Sequence, residues 1–203
     1  MIKAIIFDLG GVIVSSEVEK IKNIIANYLG VEENEFEEFL VKYQSDLTKG
    51  KISLSDVYKD VIKHFHLQNL SPQNVVDEHL KIFQKILENL NDNILDLVSK
   101  LKKHYKVVCL VNAESDVVPL VRKRGVYGYF MHAYISTELG MEKPDPKIYM
   151  TVLKDLGCKT EESVFIDDKK PNVETAKKLG IHAILYKSND ELIKQFNNLK
   201  LIF

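Results

Sequence analysis

Five apolar runs punctuate the chain: "KAIIFDL" (3–9), "KVVCLVN" (106–112), "HAYIS" (132–136), "SVFIDD" (163–168) and "HAILYK" (182–187). Apolar and polar residues do not alternate in them, and Val, Ile and Phe dominate. That is the pattern of parallel strands covered on both faces. Between the later runs, apolar residues recur at helical spacing in "DVVPLVRKRG" (116–125), "DPKIYMTVLKDLG" (145–157) and "NVETAKKLG" (172–180), and "NDELIKQFNNL" (189–199) follows the last run. Gly157 and Gly180 stand where helices stop. Strand–helix alternation predicts an α/β fold with a Rossmann-like parallel sheet and right-handed crossovers.

The interval from Ser15 to Lys103 breaks this rhythm. It has no strand-like run, and stretches such as "VEKIKNIIANYLG" and "PQNVVDEHLKIFQKIL" carry apolar residues at helical spacing. An all-helical block is therefore expected after the first strand. We expect residues 1–14 and 91–203 to form the α/β core and residues 15–90 an inserted helical cap.

Composition excludes more than it selects. Of the 203 residues 45% are hydrophobic and 28% charged, with a formal net charge of -1. That balance gives no electrostatic footprint for nucleic acid or an anionic membrane. No apolar run approaches bilayer length, and no signal-peptide pattern precedes the first strand. The two cysteines, Cys109 and Cys158, offer neither a disulfide framework nor zinc spacing. Cys109, inside "VVCLV", reads as a small core residue. The expectation is a cytoplasmic protein, monomer or homodimer, acting on a small molecule.

In open parallel sheets, ligands bind beyond the carboxyl ends of the strands. Asp8 closes the first run, Asn112 the second, and Asp167 and Asp168 the fourth. Lys143 lies in "GMEKPDP", after the short run. Taken singly, each has an ordinary explanation as a cap, a turn or a solvated charge. Together they bring three carboxylates, an amide and a lysine to one edge. Three carboxylates so close need a counter-charge, and Mg²⁺ suits oxygen ligands. Asp8 can then serve as a covalent nucleophile toward phosphorus. Lys143 would keep it charged and neutralise the transferring group, and Asn112 would donate to a phosphate oxygen.

These residues, in this order, resemble the haloacid dehalogenase-like (HAD) hydrolase superfamily. "FDLGGVIV" is similar to its first motif, "LVNAE" to its second, Lys143 in "ELGMEKPDPKIY" to its third, and "VFIDDKKPNVETAKKLGI" to its fourth. "KGKISLSDVY" (49–58) resembles a stretch of the helical caps of subfamily I, and "FDLGGV" resembles a branch of sugar-phosphatases. The likeness spans nearly the whole chain. It implies a Mg²⁺-dependent phosphatase of a small phosphorylated metabolite, working through an aspartyl-phosphate on Asp8. It implies Asp8, the Gly10 carbonyl, Asp168 and, through water, Asp167 around the metal. Asn112, Ala113 and Lys143 would meet the phosphate, with Asn172 and Gly11 in support.

Two positions depart from the family pattern. Gly10 stands where phosphatases carry an aspartic acid for proton transfer, a loss of about 10²–10⁴-fold in rate. Val111 replaces a Ser or Thr whose hydroxyl binds phosphate, a loss on the order of 10²-fold. Ser115, one turn on, is a possible substitute. Two alternatives therefore stand beside the phosphatase: an inactive binding module with the same fold, and a dehalogenase in which Asp8 attacks carbon. Glu114 and Ser115 are expected to cap the following helix, and the loop Ser15–Glu17 and the cap helices to choose the substrate.

Overall fold

A computed structural model describes residues 1–203. The apolar runs form five strands: β1 (Ala4–Phe7), β2 (Lys106–Val111), β3 (Ala133–Ile135), β4 (Ser163–Asp167) and β5 (His182–Leu185). They make one parallel sheet in the order β3-β2-β1-β4-β5. The first strand is thus central, and both neighbours pair with it along its length. Successive residues face opposite sides of the sheet. Ile5, Phe7, Val107, Cys109 and Ile166 join one apolar cluster, whereas Ala4, Ile6, Val108, Leu110 and Phe165 join another. Both faces are buried, which is why the runs do not alternate in polarity.

The face bearing Ala4 and Ile6 is covered by α8 (Pro146–Leu156) and α9 (Lys170–Lys178). Ile148, Tyr149, Val152, Leu153 and Leu156 are the buried stripe of α8, at the spacing of one helix face. Pro146 occupies its first turn, and Gly157, at φ 61°, ends it. Phe165 of β4 meets the edge of the Tyr149 ring, 5.3 Å between centroids.

The other face receives α5 (Asp92–Leu101), α6 (Val118–Arg124) and α10 (Asn189–Asn198). Phe130, just after the short turn Val126–Tyr129, and Phe196 of α10 both lie 6.4 Å from the Phe7 ring, centroid to centroid. Between β1 and α5 run four helices: α1 (Ile21–Leu29), α2 (Glu33–Thr48), α3 (Leu54–His64) and α4 (Pro72–Ile86). As the sequence predicts, this interval has no named strand. Ser53 and Ser71 start α3 and α4 through reciprocal capping boxes with Asp56 and Asn74. The short helix α7 (Ser136–Leu139) follows β3 and leads into the loop of Lys143.

Phe165 is fully buried against α8. Phe165→Ala should therefore lower stability by about 3–5 kcal/mol, read as a reduced urea midpoint at unchanged slope. A loss below about 1 kcal/mol would show that the β4–α8 contact is not part of the rigid core.

Candidate active site

The sheet register decides where Asp8 ends up. Its amide donates to the Ile166 carbonyl at 2.8 Å, so the chain remains paired with β4 as it leaves the strand. Asp8 and Asp167 therefore emerge side by side from neighbouring strands. Lys143 lies between them, 2.8 Å from Asp8 Oδ1 and 2.8 Å from Asp167 Oδ2. All three are buried: Asp8 is 6% exposed, Lys143 3% and Asp167 0%.

Burial on this scale makes each charge depend on the others. Burial, partly offset by Lys143 and reinforced by Asp167, holds the Asp8 carboxyl up at about 7. Burial works against the Lys143 ammonium, but Asp8 and Asp167 outweigh it and raise its pKa. Asp168 is raised as well, by burial and then by Asp167.

The supporting amides are placed around this cluster. Asn172 Nδ2 donates to both oxygens of Asp167 at 3.0 Å, and the Lys169 amide donates to Oδ1 at 2.8 Å. With Lys143 added, Asp167 has four donor contacts. Asn112 brackets the Lys143 backbone: its Nδ2 donates to the Lys143 carbonyl at 2.8 Å, and its Oδ1 accepts from the Lys143 amide at 2.9 Å. The amide expected on phosphate is thus engaged in setting the lysine, with one N–H to spare. The Ala113 amide donates to the buried Ser136 Oγ at 3.0 Å.

Oxygen atoms of Asp8, Asp167 and Asp168 all lie within 4.8 Å of one another. Asp168 Oδ1 is buried without a hydrogen-bond partner. Three converging carboxylates and an orphaned carboxylate oxygen are a donor set that fits a hard divalent cation. Gly11 makes room for it. At φ +73° it adopts a left-handed conformation, and a Cβ there would lie 2.2 Å from Asp168 Oδ2. Gly10 is under no such constraint: a Cβ would meet only Val18 Cγ2, at 3.8 Å.

A polar cavity of about 540 Å³ opens over this cluster, with Gly10, Asn112, Glu142 and Lys169 in its wall. Glu142 comes from the Lys143 loop and is held by α2: Ser45 Oγ donates to it at 2.6 Å, Thr48 Oγ1 also donates to it, and Lys49 Nζ lies 3.3 Å away. No local sequence pattern marks this contact, whose partners lie more than ninety residues apart.

Several expectations are corrected here. Ser15 caps the short turn Ser16–Lys20 through the Glu17 amide at 3.3 Å, and Val18 and Glu19, rather than Ser15–Glu17, line the cavity. Ser115 is exposed and its hydroxyl donates to Asp116 at 3.2 Å, so it does not replace the missing hydroxyl of Val111. Glu114 and Ser115 do not cap α6, whose N-cap is Val117 and which has no side-chain cap bond. Asp116 instead accepts from the Leu54 amide of α3 at 3.0 Å, and Glu114 faces His79 of α4. No helix is long and apolar enough to cross a membrane.

A parallel sheet that gathers carboxylates and a lysine at its carboxyl edge, with helices inserted after the first strand, defines a hydrolase fold built around an aspartate. The haloacid dehalogenase-like hydrolase family matches residues 2–180, and the chain belongs to that family. It is 29% identical over 192 residues to a D-ribitol-5-phosphate phosphatase of Bacteroides thetaiotaomicron, covering 89% of both chains. It is 26% identical to the drimenol cyclase drtB of Aspergillus calidoustus, matching 98% of this chain but only 37% of that longer protein. Among solved structures, an HAD family enzyme of Bacteroides thetaiotaomicron in complex with magnesium and inorganic phosphate superimposes with a TM-score of 0.70 at 26% identity. That alignment covers 93% of this chain and 96% of the other.

Asp8 gives the cluster a pH signature. Its folded pKa of about 7 lies above the ordinary 3.8, so its contribution to metal-free stability is full below about 4 and lost as pH rises through 7. A Mg²⁺ ion held by Asp8 would compete with that proton. At a hundredfold excess over Kd it should stabilise by about 2.7 kcal/mol. The Mg²⁺-induced rise in Tm should be larger at pH 7.5 than at pH 5, and Gly11→Ala should abolish it. Equal rises at both pH values would exclude Asp8 as a ligand.

Proposed function

We propose that this chain is a Mg²⁺-dependent phosphatase of a small phosphorylated metabolite, with Asp8 as the nucleophile and residues 15–90 as the cap. The observation that carries this reading is the buried Asp8–Lys143–Asp167 triplet beside the unpartnered oxygen of Asp168. The phosphatase relative and the magnesium–phosphate neighbour support it.

Asp8 and Asp168, with the Gly10 carbonyl, would hold the cation, while Asp167 orders the surrounding shell. Bound there, Mg²⁺ would supply positive charge to the phosphate oxygens. Lys143 keeps one Asp8 oxygen fixed at 2.8 Å and its charge matched, which leaves the second oxygen to attack. A bond forms from that oxygen to phosphorus as the bond from phosphorus to the leaving oxygen breaks. The leaving oxygen takes a proton from solvent, because position 10 has no side chain to give one. Water then attacks the aspartyl-phosphate, releases inorganic phosphate and restores Asp8. Lys143 serves both steps as a fixed cation opposite the developing charge.

This scheme favours good leaving groups, which need little protonation. Phosphate release from p-nitrophenyl phosphate and a metabolite panel with Mg²⁺ should disappear in Asp8→Asn. Background rates in the folded wild type would move the function to a binding role. Halide release from 2-haloacids that survives a chelator would move it to carbon chemistry.

The space at position 10 gives a second test. Gly10→Asp should raise kcat on poor leaving groups by about 10-fold or more, within the 10²–10⁴ range of positioned proton transfer. Its effect on p-nitrophenyl phosphate should be smaller. A uniform effect on both substrate types would mean that protonation does not limit the reaction.

A further inference from the structure

Beside the polar cavity lies a second one of a different character. Its volume is about 200 Å³, and Val14, Ile21, Phe83, Val117 and Val121 contribute to an apolar wall. Gly10, Val18, Thr48 and Asn112 line both cavities, so the two adjoin at the position next to the nucleophile. A cavity of about 150 Å³ with an apolar lining stays dry and takes up benzene. This one has room for a single ring or a short branched chain.

Thr48, Asn112, Lys22 and His79 also belong to the lining, and two polar features stand out within it. One is the Tyr127 hydroxyl, buried with no hydrogen-bond partner. The other is Glu114, which is set by a chain of buried groups. Tyr58 is 3% exposed and its hydroxyl lies 2.7 Å from His79 Nδ1. The hydroxyl has no other acceptor, so it donates to Nδ1 and the imidazole proton resides on Nε2. That proton faces Glu114 Oε2 at 3.5 Å. Burial holds His79 neutral, with its pKa lowered to about 4. Glu114 makes no closer contact and keeps 29% of its side-chain area open. Lys22 is the one other charged side chain in the lining.

We propose that this cavity receives the leaving group, and that the substrate is a monophosphate of an apolar alcohol, ring-sized or short and branched, with one hydroxyl or amine at its far end for Glu114. The inference rests on the phosphatase reading and narrows its substrate. A polyol chain would place most of its hydroxyls against valines and Phe83, since Thr48, Asn112, Tyr127 and Glu114 are too few to meet them all. Each such hydroxyl weakens binding about tenfold or more. An unsubstituted ring would fill the volume and leave the Glu114 carboxyl unpaired.

The test compares kcat/KM with Mg²⁺ for benzyl phosphate, a hydroxymethyl-substituted benzyl phosphate, an acyclic five-carbon polyol monophosphate and acetyl phosphate. The ring compounds and the polyol are all esters of primary alcohols, so leaving-group acidity does not decide between them. The hydroxymethyl compound should exceed the polyol at least tenfold. Glu114→Leu should lower the ratio of the hydroxymethyl compound to benzyl phosphate at least tenfold, mainly through KM. Glu114→Gln, which keeps the shape, should lower it less. Preference for the polyol, or a ratio unmoved by both variants, overturns the inference. Acetyl phosphate, too small to use the second cavity, separates the two readings: Asp8-dependent turnover of it with a polyol preference leaves the phosphatase standing and only the substrate inference fallen. If no phosphate ester is cleaved, calorimetry on Asp8→Asn with the same compounds decides. At least tenfold tighter binding of the hydroxymethyl compound than of the polyol upholds the cavity assignment, and equal binding refutes it.

Discussion

One ammonium shared by two buried carboxylates governs this end of the molecule. Lys143 is 2.8 Å from Asp8 and 2.8 Å from Asp167, and almost no water reaches any of the three. Charges so placed are stable only as a set, because removing one leaves its partners buried and uncompensated. The rest of the local structure serves that set. Adjacent central strands deliver the two aspartates, Asn112 grips the lysine backbone, and Asn172 fixes Asp167. Asp168 lies at the margin, with an oxygen that nothing in the chain satisfies.

The adjacent glycines 10 and 11 differ in what they permit. Gly11 is required by geometry, since any Cβ would strike Asp168. Gly10 has open space beside it. The missing carboxylate at position 10 therefore does not follow from crowding. Its absence joins the polar cavity to the apolar one along a wall with no charge, and the chemistry that the site can perform and the ligands it can admit are set by the same small residue.

The sheet was legible because its strands are buried on both faces, which writes them as unbroken apolar runs ending in polar residues. Asp8, Asn112, Lys143, Asp167 and Asp168 were legible for the same reason: each stands at the end of a strand or in the connection after it, and parallel strands point their ends to one edge. Side chains whose partners lie far along the chain were not. Glu114 reads as a helix cap in the sequence, whereas the fold brings His79 of α4 to it, and the two bonds by which Asn112 holds the Lys143 backbone have no local sign. Glu142 meets α2 across more than ninety residues. One local sign was available: His79 falls in register with Val75, Val76 and Ile86 on the buried stripe of α4. A lone imidazole in an apolar stripe needs a polar partner.

Glu142 and Lys143 are consecutive, yet they are gripped from opposite sides. Ser45, Thr48 and Lys49 hold the first from α2, while Asn112 holds the second from the end of β2. The peptide between them is thus a mechanical link between the inserted helices and the sheet. If α2 swings away, it must either release Glu142 or drag on the lysine whose position keeps two carboxylates at peace. Opening the entrance and loosening the charge balance are, in this molecule, one movement.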